Sequence, residues 1–366
     1  MARSFAVLMM LEGHCTGRAL DPQYRDLDST IYSVWFFIHN ITSPLFFTVS
    51  GIIFVYLLLG KSDGSFLKNE RVKKGLKRAA ELVIWGYLLQ VDVLAIYRGV
   101  SGIEEYDWEW IQAFHVLQSI GVGILVLIGV FALYKKWSKI PLHMHYLIVA
   151  AVFFYFHSEL AYHIYMHPGK HVPQGAPQWV QNFFYGPFSD FSFLRYLPFV
   201  LVGGAIGALY KKNEHRIFDW MFIARFIAIG LILVVFSERL MWLLDQVMYH
   251  GLDSRRAIWA ANAVPLQAIG VVLLFLSLLM ILDGRGWVKN SLFVRVGQNT
   301  FVIYVAHVIF LYGGIFGFGL STMLFLNQFN PWETAAISTA FILFFIAFVW
   351  FIEKLPARWR RSWIFG

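Results

Sequence analysis

Long apolar runs separated by short polar stretches are the dominant pattern of this chain. A membrane-spanning helix needs about 20 predominantly apolar residues. Runs of that length, or nearly so, lie at about 3–20, 43–60, 76–97, 113–134, 141–160, 193–210, 219–240, 263–283, 296–316 and 334–353. The pattern predicts an all-α polytopic integral membrane protein with about ten transmembrane helices. Because no internal repeat or low-complexity segment divides the chain, residues 1–366 are expected to form a single domain.

The composition supports the same class of protein. Of the 366 residues, 58% are hydrophobic and only 14% are charged, whereas soluble domains carry about 25% charged residues. A chain with so few charges cannot cover a soluble surface. The composition therefore also predicts an integral membrane protein.

The placement of lysine and arginine predicts the orientation in the membrane. With ten crossings, most of the 30 basic residues lie on one side of the membrane. The loops and terminus that carry them are 61–78, 135–139, 211–216, 285–295 and the C-terminal tail. Positive residues concentrate in cytoplasmic loops, so both termini are expected in the cytoplasm, with the chain in the plasma (inner) membrane. The net charge of +8 is then mainly a topology signal, and no nucleic-acid partner is expected.

No metal site is predicted. The single cysteine, Cys15, excludes an internal disulfide and a cysteine-based zinc site and is expected to be a packing residue. His163, His167 and His171 recur at every fourth position. Pro168 and Gly169 interrupt any helix that would align these three side chains.

Ionisable residues inside the apolar runs are candidates for function, because they are costly in a bilayer. Satisfied interhelical hydrogen bonds are the ordinary alternative for each lone histidine. The candidates are Glu12, His14, His39, Asp92, His115, Arg225, Glu238, Asp245 and His307.

Helical geometry separates the two ionisable residues near the end of the first run. Glu12 and His14 are two positions apart, about 200° around a helix, so they cannot form an acid–base pair on one face. Arg3 and His14 are eleven positions apart, which leaves an offset of about 20° and places them about 16 Å apart along one stripe. Arg3 is expected near the cytoplasmic face and His14 deep toward the other side. Glu12 is expected to face another helix.

Other polar residues mark later runs. His39 and Asn40 precede Pro44, which is expected in the first turn of a helix, and Gly51 would let another helix approach closely.

Four cations stand where the third helix would enter the membrane, and they could bind anionic lipid head groups or form a cytoplasmic phosphate site. These are Lys73, Lys74, Lys77 and Arg78.

Two later runs also carry polar residues at helical spacing. One polar stripe is formed by His115, Gln118 and Ser119, and Tyr304 lies one turn before His307.

Several of these segments resemble the acyltransferase-3 family. The R-x10-H spacing of Arg3 and His14 looks like that family's first-helix motif. PLFFTVSGIIF (44–54) and GQNTFVIYVAHVIFLY (297–312) are similar to its second and late helices. RVKKGLKRAAELVIWGYLL (71–89), HVLQSIG (115–121) and RYLPFVLVGGAIG (195–207) look more like a related branch that contains heparan-α-glucosaminide N-acetyltransferase and bacterial relatives.

The resemblance implies transfer of an acyl group, with acetyl favoured, from cytoplasmic acyl-CoA to an acceptor on the other side. His14 would be the catalytic histidine and His307 a supporting residue. Arg3, Lys74, Lys77 and Arg78 would receive the donor, with acyl-CoA as co-substrate and no metal. Lysines stand where the family has paired arginines in the third helix, and lysine lacks the bidentate geometry of arginine.

The chemistry of histidine fits that role. An imidazole can remove the proton of an acceptor hydroxyl or amine at neutral pH, and an acyl-histidine intermediate is the other possible route. Gln118, Ser119, Asn40 or Tyr304 could donate a hydrogen bond to the oxyanion. The acidic-aromatic outer loop 102–110 fits a cell-envelope glycan or lipid-linked sugar as acceptor.

Two other classes of function compete with the enzyme. A proton-coupled small-molecule transporter would use Glu12, His14, Asp92 and Arg225 as a relay. A membrane sensor or partner-binding protein would leave the intramembrane histidines unexplained. The sequence also leaves room for a homo-oligomer.

Overall fold

The computed structural model of the chain describes residues 1–60, 66–103, 108–137, 139–166, 175–185, 189–249, 256–286, 292–324 and 327–354. In these ranges the α-helices are α1 (Ala2–Ala19), α2 (Thr30–Leu59), α3 (Glu70–Leu88), α4 (Val93–Val100), α5 (Trp108–Ile111), α6 (Val116–Lys136), α7 (Leu142–Met166), α8 (Gln178–Tyr185), α9 (Phe193–Lys212), α10 (Trp220–Tyr249), α11 (Arg256–Gly284), α12 (Leu292–Gln298), α13 (Thr300–His307), α14 (Leu320–Met323) and α15 (Pro331–Lys354). The extended structure described is one isolated bridge between Leu20 and Phe329.

Seven helices of the described chain are long and apolar enough to cross a membrane: α2, α6, α7, α9, α10, α11 and α15. Two bent pairs raise the number to up to nine if each pair crosses as one broken span. These are α3 with α4, bent by 49°, and α12 with the segment from Thr300 to Phe316, bent by 73°. α1 is outside this group because its 18 residues include Arg3, Glu12 and Arg18. The prediction of an all-α polytopic membrane protein is confirmed, with seven to nine such helices where about ten were expected.

A helix cap divides the third predicted run. α3 ends at Leu88 and α4 begins at Val93, and between them the carboxylate of Asp92 accepts a hydrogen bond from the backbone N–H of Ala95 at 2.8 Å. A side-chain oxygen at this position satisfies one of the free N–H groups of a helix start. Asp92 therefore has a structural role at the start of α4.

The expected position of Pro44 in a first helical turn is wrong. α2 begins at Thr30, so Pro44 lies well inside the helix. The aromatic and apolar residues before Pro44 continue the helical run, and a proline there removes one backbone hydrogen bond to the carbonyl of Asn40.

The described chain divides into two compact units. The first is formed by Met1–Phe46, Tyr87–Ile111 and Gly286–Gly366. Within it α1 packs against α12, α13 and α15, and the side chains of Ala6, Leu11 and Cys15 are fully buried. The packing role expected for Cys15 is thus confirmed.

The second unit is formed by Phe47–Gly86 and Gln112–Arg285. In this unit α9 packs against α6 and α7, and α10 packs against α11. The close helix approach expected at Gly51 is confirmed, since a Cβ atom there would lie 2.9 Å from the backbone nitrogen of Gly204 in α9. The single domain expected for 1–366 stays a prediction.

Replacing Gly203 by alanine is expected to destabilise the second unit. An added Cβ atom would overlap the carbonyl oxygen of Thr48, and forced overpacking of this kind costs about 1–3 kcal/mol. Thermal unfolding in detergent should show a lower melting temperature for Gly203→Ala. Gly129→Ala is the matched control, because a Cβ atom at Gly129 meets no atom within 4 Å in the described chain. Equal melting temperatures for the two variants would contradict the close contact.

Candidate active site

α1 presents the two residues of the predicted first-helix motif. Arg3 and His14 both lie within the helix Ala2–Ala19, so their spacing produces the single stripe that the sequence predicts. Both side chains are half-buried. The packing of the first unit around α1 fixes the direction in which His14 points.

His14 is paired with the second predicted histidine. The Nδ1 atom of His14 lies 3.0 Å from Nε2 of His307, although the residues are 293 positions apart in the sequence. His307 is fully buried, and its own Nδ1 lies 3.3 Å from the carbonyl oxygen of Ile303. The ring of Tyr304 packs edge-on against His307 at a centroid distance of 5.1 Å.

This hydrogen-bond chain assigns the tautomers of both neutral imidazoles. A carbonyl oxygen only accepts, so Nδ1 of His307 carries a proton and donates it to Ile303. Nε2 of His307 is then the acceptor, and Nδ1–H of His14 is the donor. Nε2 of His14 is consequently left with a free lone pair, and the hydrogen bond that the described chain gives to His14 is made by Nδ1. A half-buried imidazole with a free lone pair has the form of a general base.

A short π-helix follows His307 directly. It spans Val308–Tyr312 and ends at Gly313, whose φ of 89° is in the left-handed region. The wider turn brings the Tyr312 ring edge-on to His14 at 5.6 Å, and the guanidinium of Arg18 lies 5.0 Å from the centre of the same ring. Single π-turns often mark functional sites. Tyr312 and Arg18 were not among the candidates from the sequence, although Arg18 stands one helical turn after His14.

Glu12 faces another helix, as its position around α1 predicts. Its Oε1 atom accepts hydrogen bonds from Thr16 Oγ1 at 2.8 Å and from Trp35 Nε1 of α2 at 2.9 Å. Thr16 is also within hydrogen-bond distance of Ser338 in α15, at 3.0 Å. The carboxylate is therefore held in one orientation by two neighbouring side chains.

The two α2 candidates have different surroundings. The half-buried ring of His39 stacks on Trp35, with centroids 5.1 Å apart and planes inclined by 2°. It also lies against Gly13, where an added Cβ atom would overlap it. Asn40 points outward and is exposed. Of this pair, only His39 is close to the residues around His14.

The candidate donor residues Lys74, Lys77 and Arg78 all lie on α3 in the second unit. Lys77 and Arg78 form ion pairs with Glu81 at 3.7 and 3.4 Å. Lys74 is exposed and makes no ion pair with a described residue. Glu81 was missed in the sequence, although its spacing from both cations is that of neighbouring side chains on a helix.

A further lysine of the second unit, Lys211, already forms an ion pair with a carboxylate. Lys211 lies 2.6 Å from Glu214, which also accepts a hydrogen bond from the hydroxyl of Tyr56. The hydrogen bond from Lys211, with that from Tyr56, lowers the pKa of the Glu214 carboxyl below its ordinary value. This lysine is consequently a poorer candidate for binding a phosphate than Lys74.

The polar stripe of α6 lies in the second unit and makes structural contacts. His115 is the residue that precedes the helix. Gln118 is buried against Gly86 of α3, where an added Cβ atom would lie 3.0 Å from its Cγ. Ser119 donates a hydrogen bond to the carbonyl of Phe191. These contacts support the packing of α6.

Of the three histidines at every fourth position, the structure describes His163. His163 is exposed on α7, and His167 and His171 lie outside the described residues. Among the residues that the structure describes, no group of three His, Cys, Asp or Glu side chains could hold a metal ion.

The fold and the histidine pair define an integral membrane protein in which a half-buried imidazole, that of His14, is hydrogen-bonded to a fully buried histidine. A family model described as an acyltransferase domain matches residues 1–354, almost the whole chain. The chain belongs to this acyltransferase-3 family and is a membrane acyltransferase. A search of the curated proteins found no match to the chain. The likeness to heparan-α-glucosaminide N-acetyltransferase and its relatives stays a prediction.

Proposed function

We propose that this membrane acyltransferase moves an acyl group, with acetyl favoured, from cytoplasmic acyl-CoA to a hydroxyl or amine of an extracytoplasmic glycan or lipid-linked sugar. The observation that carries the proposal is the hydrogen-bond chain from Ile303 through His307 to His14. It leaves Nε2 of His14 able to accept a proton. Such a base is what an unreactive hydroxyl acceptor needs.

In the proposed reaction His14 acts twice. Its Nε2 takes the proton of the acceptor as the acceptor oxygen or nitrogen attacks the thioester carbonyl. The tetrahedral intermediate then collapses, the carbon–sulfur bond breaks, and the His14 imidazolium returns the proton to the leaving thiolate. The products are the acylated acceptor and free CoA, with no net change in protons. His307 supports His14 throughout by accepting from Nδ1–H.

The carbonyl oxygen becomes negatively charged during this step and requires a hydrogen-bond donor. Among the four candidates from the sequence, Tyr304 contacts His307 through its ring, whereas Gln118 is buried in the second unit. Ser119 already donates to a backbone carbonyl, and Asn40 is exposed. Tyr304 is therefore the preferred donor.

The same lone pair would also serve the alternative route, in which Nε2 of His14 attacks the thioester and carries the acyl group as an acyl-histidine. Rapid quenching after mixing with labelled acetyl-CoA separates the two routes. Label held on the protein in amounts that depend on His14 would indicate the intermediate. Its absence during active turnover would favour direct transfer.

We place the donor on the cytoplasmic basic residues. Lys74, Lys77 and Arg78 on α3 would bind the phosphate groups of CoA, which charged nitrogen donors recognise well, and Arg3 on α1 stays a candidate for the donor from the sequence alone. The positive-inside pattern supports a cytoplasmic position for these residues and for both termini. The enzyme would then work in the plasma (inner) membrane on the cell envelope.

Replacing Glu81 by glutamine is expected to tighten acetyl-CoA binding about three- to tenfold. The substitution removes the acidic partner of Lys77 and Arg78, so fewer ion pairs must be broken when phosphates bind. Equilibrium binding of acetyl-CoA to purified protein measures the effect. Glu70→Gln is the control, because Glu70 pairs with the exposed Lys73 and such pairs contribute little. Weaker or unchanged binding by Glu81→Gln would contradict this donor site.

The transporter alternative rests on buried charges alone. Two of the four residues of its relay have structural partners: Asp92 caps a helix, and Glu12 is hydrogen-bonded to Thr16 and Trp35. These contacts favour the enzyme over the transporter.

The direct test of the proposed enzyme is transfer of label from acetyl-CoA in inverted membrane vesicles that contain the chain, with vesicles lacking it as the reference.

A further inference from the structure

A large apolar cavity lies within the second unit, between two packed helix pairs. α7 packs against α9, and α10 packs against α11. Side chains from all four helices line the cavity, whose volume is about 620 Å³, and small-molecule sites occupy about 300–1,000 Å³. Every lining residue except Tyr155 is apolar. The cavity is therefore suited to a hydrocarbon chain.

Two sets of side chains join the helix pairs around this cavity. The ring of Tyr210 on α9 lies 6.1 Å from that of Phe222 and 5.8 Å from that of Phe226, both on α10. Farther along the helices, a buried cluster of Phe154, Met241 and Ala263 connects α7, α10 and α11. Because the two pairs are held together at both levels, the space between them is a fixed feature of the second unit.

The cavity opens sideways, toward the surroundings of the helices. Leu147 and Val152 of α7 and Ile229 of α10 line it and are 39%, 47% and 50% exposed. On α9 the lining residues run from Pro198 to Leu209, about 17 Å along the axis. This is close to half of a hydrocarbon core of about 30 Å, which is the depth of one leaflet. An acyl chain of the bilayer can thus enter without leaving the apolar phase.

Basic residues continue two of the lining faces beyond the cavity. On α9, Lys212 follows the lining residues Ala205 and Leu209 by seven and three positions, which places it on their side of the helix. On α7, His143 stands one turn before the lining residue Leu147. The charge of Lys212 acts on the imidazole of His143, so the two are neighbours. Together they flank one end of the cavity.

Lys212 is available for an anion. It is exposed and makes no ion pair with a described residue. The two carboxylates of the following turn are engaged elsewhere, Glu214 with Lys211 at 2.6 Å and Asp219 with Arg216 at 3.8 Å. A lysine ammonium binds phosphate as a point charge. An apolar cavity with a free cation at one end matches a ligand that has a hydrocarbon chain and a negative head group.

We propose that this cavity binds one anionic phospholipid, with an acyl chain between the two helix pairs and the head group on Lys212 and His143. The sideways opening favours a lipid of the bilayer over the acyl chain of a water-soluble donor. Bilayer hydrocarbon is as apolar as the lining side chains, so the chain alone gives little preference for one lipid over another. Selectivity comes instead from the attraction between basic residues and anionic head groups.

The test of the head group compares two lipids with the same acyl chains, phosphatidylglycerol and zwitterionic phosphatidylcholine, by native mass spectrometry of the purified full chain in detergent. Wild type should bind one phosphatidylglycerol about fivefold more tightly than phosphatidylcholine, the attraction that one cation provides. Lys212→Gln should lose this preference. Lys136→Gln is the control and should keep it, because Lys136 is an exposed lysine at the end of α6 that lies over Trp137.

The test of the cavity fills it with a larger side chain. Ala151 lines the cavity and is exposed, so Ala151→Trp should remove the binding of both lipids without overlap in the core. Ala228→Trp is the control, since Ala228 is an exposed alanine of α10 outside the lining. Phosphatidylglycerol should raise the melting temperature of the wild type and of Ala228→Trp but not that of Ala151→Trp, because a ligand of the folded state stabilises it.

Several results would overturn the proposal. Equal affinity of the wild type for the two lipids would exclude the head-group site, and unchanged lipid binding by Ala151→Trp would exclude the cavity. Tighter binding of palmitoyl-CoA than of phosphatidylglycerol would assign the cavity to an acyl donor. A dimer in the same spectra that Ala151→Trp dissociates would assign it to a second copy of the chain. None of these measurements depends on acyl transfer, so the outcome is independent of the proposed function.

Discussion

Replacing His14 by alanine is expected to lower acyl transfer about 10²- to 10⁴-fold, the usual contribution of a general base. The variant loses the only described group with a free lone pair at the end of the hydrogen-bond chain from Ile303. Binding of acetyl-CoA should be nearly unchanged, because His14 acts on the proton of the acceptor. The measurements are label transfer in vesicles and equilibrium binding of acetyl-CoA to purified protein.

A matched control removes a histidine elsewhere. His163 is exposed on α7 in the second unit, and His163→Ala should transfer label at close to the wild-type rate. Near-normal transfer by well-folded His14→Ala would exclude His14 as the base. Loss of acetyl-CoA binding in His14→Ala would instead indicate a role in holding the donor.

Replacing His307 by phenylalanine is expected to lower transfer by about 100-fold or more. Phenylalanine keeps the size of the ring but cannot accept the hydrogen bond from Nδ1–H of His14. The His14 tautomer would then no longer be fixed, and loss of the group that orients a catalytic histidine is costly in related hydrogen-bonded constellations. Initial rates with the same vesicles measure the effect.

The glutamine variant tests whether that hydrogen bond is the cause. In His307→Gln the side-chain oxygen can still accept from His14, so transfer should be about tenfold or more faster than in His307→Phe. Melting temperatures of both variants show whether the fully buried site is still folded. Equal rates for the two variants would show that accepting this hydrogen bond is not what His307 contributes.

The membrane character of the chain and the stripe on α1 could be predicted because both are local. Apolar run length and the low fraction of charge indicate helices in a bilayer, and the spacing of Arg3 and His14 depends only on helical periodicity. The separation of Glu12 from the His14 face follows from the same geometry. The structure agrees on all three points.

The partners of these residues depend on how distant helices meet, which a periodic pattern does not contain. His307 was a candidate on its own, but its hydrogen bond to His14 joins residues 293 positions apart. The contacts of Trp35 with Glu12 and His39 depend on α2 beginning at Thr30, earlier than the apolar pattern indicated. Glu81 is the exception, because its helical spacing from Lys77 and Arg78 is already present in the sequence. The roles of His14, His307 and the α3 cations remain predictions.

The central claim is that this chain transfers an acyl group from cytoplasmic acyl-CoA across the membrane. The most direct measurement exposes the cytoplasmic face of inverted vesicles to acetyl-CoA labelled in the acetyl group and follows the label into the lumen. Vesicles with the wild-type chain should accumulate covalently bound label on lumenal material, and vesicles without it should not. If purified chain binds acetyl-CoA but the two kinds of vesicle acquire the same label, transmembrane acyl transfer from acetyl-CoA by this protein is contradicted.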